Sequence, residues 1–167
     1  MTPGLMLRPM SPKKVDSDLK RLVDYLGLEA ASAVLLKYRR PSAFEPSPQD
    51  CHLNVMCQVR ECGGHRQHGW ILAQDKRQSF CEAIFHSVWR SPEGQMADVT
   101  PRKDLEKRVL FIPDQQRAIA LTAHQGKPAI VTFSSAKMLG GRVVAPADPF
   151  TALLLGGFAE AQRLWPW

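Results

Sequence analysis

The chain has 167 residues, 44% of them hydrophobic and 23% charged, with a formal net charge of +6. That suits one globular domain with a core of ordinary size and is short for two. The longest apolar run, Phe150 to Phe158, is broken by Gly156 and Gly157, which excludes a helix able to span a bilayer.

In chain order, Met1 to Pro12 carries four prolines or glycines and no continuous hydrophobic stretch, which predicts a flexible leader over residues 1–12 rather than a secretory signal. A cytoplasmic, reducing setting is the expectation, although delivery by a signal-independent route would leave no such trace. In that setting the four cysteines are thiols or ligands rather than disulfides. Val15, Leu19, Leu22, Val23 and Leu26 repeat with a helical period that Gly27 ends. Ala30 to Tyr38, rich in Ala and Leu, reads as a second helix, and the three prolines of Pro41 to Pro48 as a loop. A third helix is expected with Ser47 as N-cap, Pro48 as its first residue and Asp50 as a capping-box acid. It runs through Val55 and Val59 to a stop at Gly63-Gly64, placing Cys51 in the first turn.

Strands follow. Gly69 to Gln74 and Ser79 to Arg90 are rich in aromatic and β-branched residues. Ser91-Pro92-Glu93-Gly94 fits a type I turn, from which Gln95 to Thr100 returns as a strand. Arg108 to Pro113 and Ala129 to Phe133 are further strands, and Phe150 to Leu164 reads as a closing helix. Helices first and an antiparallel sheet after them is the α+β pattern. Residues 13–167 are thus expected to form one α+β domain, N-terminal helices on an antiparallel sheet, with a catalytic core at about 47–113.

Three residues of that core can carry chemistry together. A nucleophilic cysteine must be a thiolate near neutral pH, and the N–H groups of a first helical turn stabilise an anion. Cys51 holds that position; Cys57 and Cys62 lie farther along the helix and Cys81 lies in a strand. A thiol also needs a base, and the base an orienting partner. Across the Ser91–Gly94 hairpin, Asp98 falls within about two positions of the residue opposite His86, which is cross-strand reach. Cys51, His86 and Asp98 therefore read as nucleophile, general base and orienter. Asn54, one turn beyond the cysteine, is a weak oxyanion candidate, and Trp70 and Trp89 are weak candidates for the walls of an acyl-binding cleft.

Cys51 with its helix to Gly63-Gly64, Gly69-Trp70, His86-Ser87-Val88-Trp89 and Asp98-Val99-Thr100-Pro101 together resemble the core of the transglutaminase-like branch of the papain-like cysteine hydrolases, over roughly the central third of the chain. The resemblance implies a papain- or transglutaminase-like fold core and a cysteine that attacks an amide carbonyl. The resulting thioester then passes its acyl group to water or an amine, as in a peptidase, deamidase or transglutaminase. It implies a protein or peptide substrate and no cofactor. The glutamine that papain-type members place several residues before the cysteine is missing: Glu45 or its neighbours stand there, and Gln49 is too close to match.

Two rival readings stand beside it. Basic clusters at Lys13-Lys14, Lys20-Arg21, Lys37 to Arg40 and Arg102 to Arg108 suit a non-enzymatic module that binds an acidic protein or nucleic acid, though no zinc-finger or RNP-type motif accompanies them. Cys51, His52, Cys57, Cys62, His65, His68, Cys81 and His86 crowd one region and suggest zinc, but only Cys62-x-x-His65 and His65-x-x-His68 have short ligand-like gaps.

Overall fold

The computed structural model describes Gly4 and residues 6–104 and 106–153. Among these are two α-helices and an antiparallel sheet, so the chain is α+β as expected. Helix α1 (Ser17–Tyr25) begins where the Asp16 side chain accepts the Leu19 N–H at 3.0 Å, an N-cap that satisfies one orphan donor of the first turn. Its Leu19, Leu22 and Val23 are buried at helical spacing, each stabilising the contact with the sheet by about 1.5–3 kcal/mol.

The second expected helix does not form. A single turn at Ala30–Ser32 leads instead into strand β1 (Val34–Lys37), which pairs antiparallel with β5 (Arg108–Pro113) from Val34 opposite Phe111 to Lys37 opposite Arg108. The helix propensity of Ala and Leu amounts to a few tenths of a kcal/mol per residue, and a strand that completes a sheet overrides it. Helix α2 (Cys51–Cys62) starts three residues later than its capping signals predict. Asp50, not Ser47, occupies the N-cap position, and its side chain makes no capping bond. The Asn54 amide folds back on the loop instead: Oδ1 accepts the Ser47 N–H at 3.0 Å and Nδ2 donates to the Ser47 carbonyl at 2.7 Å.

Gly63 and Gly64, both at positive φ, end α2 and feed strand β2 (His65–Asp75). It pairs with β3 (Phe80–Arg90) along the whole length of both. Strand β4 (Met96–Ala97) returns from the Ser91–Gly94 turn, closed by the Gly94 N–H donating to Ser91 O at 2.8 Å. It is shorter than expected because Asp98 leaves β3 to form a parallel bridge with Tyr38. After β5 come β6 (Ala120–His124), β7 (Lys127–Phe133), β8 (Ala136–Leu139), β9 (Arg142–Ala145) and β10 (Pro149–Leu153). The main sheet has the order β1-β5-β2-β3-β8-β9 with β4 on the far end of β3; β10-β7-β6 is a smaller second sheet. Residues 150–153, read from sequence as the start of a closing helix, pair with β7 as a strand, and the rest of that expected helix lies outside the described residues.

Both helices pack on one face of the main sheet, where Leu22, Leu53 and Cys57 meet Trp70, Leu72, Phe85 and Ile112. Ile71, Val88, Val109 and Phe111 form a cluster on the other face, so the central strands are buried on both sides. The segment expected to be a flexible leader is partly tied down. Met10 and Gln74 exchange backbone hydrogen bonds at 2.9 and 3.0 Å, and Ser11 Oγ donates to Leu72 O while accepting the Leu110 N–H. Among the described residues no helix is long and apolar enough to cross a membrane.

Directly opposite His86 in the β2–β3 register stands Gly69. A Cβ there would lie 2.2 Å from the Ile112 carbonyl oxygen and 2.4 Å from the Phe111 ring, so this residue must be glycine for β5 to pack. Gly69→Ala is expected to destabilise the fold by roughly 1–3 kcal/mol, read as a fall in urea midpoint at constant m. An unchanged midpoint would contradict the close approach.

Candidate active site

The first turn of α2, the middle of β3 and the chain just past β4 bring Cys51, His86 and Asp98 together. Carrying the Trp89–Ala97 register one residue onward puts Asp98 opposite Val88, and three onward Thr100 opposite His86, so Asp98 sits diagonally from the histidine on the same face. His86 Nε2 and Asp98 Oδ1 are 2.9 Å apart, and both residues are buried. Cys51 and His86 line the same cavity, near enough for each to shift the other's protonation. Cys51 itself is half-buried on a cavity of about 410 Å³ that His86 also lines, together with Pro48, Gln49, Thr100 and Arg102.

A chain of hydrogen bonds ties His86 and Asp98 to the helix that carries Cys51. Asp98 Oδ1 also accepts the Thr100 N–H at 3.1 Å, and Thr100 Oγ1 accepts a bond from Asn54 Nδ2 at 3.1 Å. Asn54 lies three residues beyond Cys51 on α2, so the chain of contacts returns to the helix that carries the sulfur. The Asp98 backbone is fixed as well, its N–H donating to Lys37 O at 3.2 Å and its carbonyl accepting the Arg39 N–H at 2.8 Å.

Electrostatics follow from this packing. Burial pushes the Cys51 thiol up, but the neighbouring His52 and His86 draw it well below the ordinary thiol value. Burial would lower His86; the Asp98 carboxylate first and the Cys51 sulfur second reverse that and raise it to about 10. The two opposed shifts favour a thiolate–imidazolium pair. It is lost in acid as Cys51 protonates, and in base as His86 passes about 10. The other thiols differ: Cys57 is buried in the core, and burial followed by Asp18 and Asp16 pushes Cys81 up to about 11.

His52, weighed from sequence only as a metal ligand, stands beside the site and acts on Cys51 through its neighbourhood. It is buried, its Nδ1 hydrogen-bonded to Ser87 Oγ and its Nε2 3.3 Å from Thr132 Oγ1. Its place directly after Cys51 was the available signal. Behind it, His68 stacks on Phe85 at 5.9 Å, and burial, then His52 and Arg66, push it down to about 4.

The weaker candidates have other roles. Both N–H groups of Asn54 are committed, to Ser47 O and Thr100 Oγ1, which leaves none for an oxyanion. Trp70 is fully buried and donates to Asp114 Oδ2 at 2.9 Å; Trp89 donates to Gly63 O at 2.9 Å beneath the Arg39 guanidinium. Neither lines the cavity beside Cys51. Among the described residues no group of three or more His, Cys, Asp or Glu side chains is placed to hold a metal ion. Models of protein families, curated proteins and solved structures were all compared with the chain, and none matches.

An unperturbed thiol loses reactivity about tenfold per pH unit below its pKa of ~8.5. Alkylation of Cys51 by iodoacetamide is expected to change less than about threefold between pH 8 and 6, while free cysteine assayed alongside falls by about a hundredfold. Asp98→Asn removes the charge that keeps His86 cationic, so Cys51 should rise and its labelling at pH 6 should drop by at least about tenfold. Parallel pH profiles for Cys51 and free cysteine would contradict the ion pair.

Proposed function

We propose that the protein is a thiol-dependent amide hydrolase or acyltransferase of the transglutaminase-like kind, acting through a thioester on Cys51. The observation that carries this reading is the Cys51–His86–Asp98 chain, in which a depressed thiol opens a helix beside an imidazole raised to about 10 by a buried carboxylate. Such a perturbed pair lining a cleft is the usual mark of a working nucleophile.

In this reading the Cys51 sulfur attacks a substrate amide carbonyl, forming the S–C bond while the carbonyl electrons move to oxygen. The Cys51 backbone N–H, in the first turn of α2 where no helical carbonyl can accept it, is a donor for that developing charge. Gln49, on the cavity rim, carries a side-chain amide that can supply a second donor. As the C–N bond breaks, the His86 imidazolium gives its proton to the leaving amine. The neutral imidazole then takes a proton from water or an incoming amine, which attacks the thioester and releases Cys51. Asp98 holds the ring in one orientation. Whether hydrolysis or transfer results depends on which acceptor reaches the thioester. A protein or peptide substrate fits the open cavity.

The test is to incubate the protein with a library of glutamine-containing peptides with and without dansylcadaverine, quench in acid and measure intact mass. An acyl adduct on the Cys51 peptide, released by hydroxylamine, is expected for the wild type and for neither Cys51→Ala nor His86→Gln, whose turnover should fall by about 10³-fold or more. Product formed equally by Cys51→Ala would refute the proposal.

A further inference from the structure

A second cavity, of about 470 Å³, shares the wall residue Arg102 with the one that Cys51 lines. The rest of its wall is Lys37, Tyr38, Glu106, Lys107 and Arg108, so four cations surround it against one carboxylate. Arg102 is the one cation already answered, by Asp104 at 2.6 Å and Glu106 at 3.4 Å. Lys37, Lys107 and Arg108 have no acidic partner within 4.0 Å among the described residues. Lys37 and Arg108 moreover stand directly opposite each other in the β1–β5 ladder, an arrangement of like charges that costs stability unless an anion lies between them.

These features pose a single question: what does a concave, positively charged wall beside a thiolate cavity receive? A small anion would fill one cavity and leave the other. Two cavities that share Arg102 suit an extended ligand whose reacting group lies at Cys51 and whose negative charge lies over β1 and β5. Tyr38 is the one aromatic side chain of the wall, so nothing there resembles the row of stacking platforms on which single-stranded bases lie. Clefts lined by one sign of charge concentrate ligands of the other sign and speed their capture.

We infer that the Lys37–Lys107–Arg108 cavity is the docking site for an acidic segment of the polypeptide substrate, flanking the amide that reaches Cys51. This rests on the thiol-acyl reading for the identity of the reacting group, but the docking itself can be measured without it. Fluorescent peptides of equal length with glutamate, glutamine or lysine at alternate positions would be titrated by anisotropy at 50 and 300 mM NaCl, alongside a deoxythymidine oligomer of matched charge.

The glutamate peptide should bind about tenfold tighter than the glutamine one at low salt, and the preference should shrink at high salt. Lys37→Gln/Lys107→Gln/Arg108→Gln should abolish the preference, and Lys107→Arg/Arg108→Lys, which keeps the charges, should retain it. Equal binding of the glutamate and glutamine peptides, a preference that survives the triple substitution, or tighter binding of the oligomer than of the glutamate peptide would each overturn the inference. In a second arm the same peptides carry a chloroacetamide, and the rate of Cys51 alkylation is divided by that with iodoacetamide for each protein. Faster alkylation by the acidic peptide places the docking site on the path to the thiol; equal normalised rates refute that link. A thiol inert even to iodoacetamide would count against the proposed chemistry alone, because the anisotropy arm reads docking separately.

Discussion

The 2.9 Å contact between His86 and Asp98 governs the chemistry of everything around it. A buried imidazole sheds its proton unless a negative charge lies beside it, and a half-buried thiol keeps its own unless a cation does. Asp98 supplies the first requirement, and through it His86 supplies the second. The carboxylate is held in turn by the Thr100 N–H and by the bridge from Asp98 to Tyr38, so the geometry depends on where β4 lets go of β3. Because Asn54 joins Thr100 back to the start of α2, a shift at any point of that chain of bonds would move the sulfur relative to the ring.

The scaffold explains why these contacts can be short and stable. Strand β3 pairs with β2 over eleven residues and carries both faces of the sheet at once: Phe85 and Ser87 point toward α2 and the helical core, Ile84 and Val88 toward the opposite cluster. His86 lies between Ile84 and Val88 in that alternation, and Gly69 opposite it leaves room for the Phe111 ring. Away from the triad, the buried Asp114 carboxylate accepts bonds from Trp70 Nε1, Arg117 Nη1 and two backbone N–H groups, which ties β2 to the loop after β5. Burying one carboxylate beside His86 and another beside Arg117 is tolerable because each has its partners in place.

Much of this was legible in the sequence where the signal is local. The Val15–Leu26 periodicity, the Gly63-Gly64 stop, the Ser91–Gly94 turn and the run of aromatic and β-branched residues in β3 each specify structure by short-range chemistry, and they were enough to bring Cys51, His86 and Asp98 together. What the sequence concealed is tertiary. Ala30–Tyr38 reads as helix until β5 offers it a partner, and Phe150–Leu153 does the same until β7 does. The cap of α2 was assigned to Ser47 because capping residues are recognised by type, whereas the bond is made by Asn54 reaching backwards. Asn54, Trp70 and Trp89 were marked by chemical capacity alone; their donors are already engaged elsewhere. His52 was hidden for the opposite reason, since a histidine next to a cysteine carries no spacing pattern until Ser87 and Thr132 close around it.

The central claim is a charge state: the His86 ring is an imidazolium at neutral pH because Asp98 and the Cys51 sulfur flank it. Nitrogen-15 NMR of histidine-labelled protein reads that state directly, with the His86 signals assigned by their absence in His86→Gln. Both ring nitrogens of His86 should carry protons from pH 6 to pH 8.5 and begin to lose one only toward about 10. A His86 ring that titrates near ~6.5, as an unperturbed histidine does, would contradict the account.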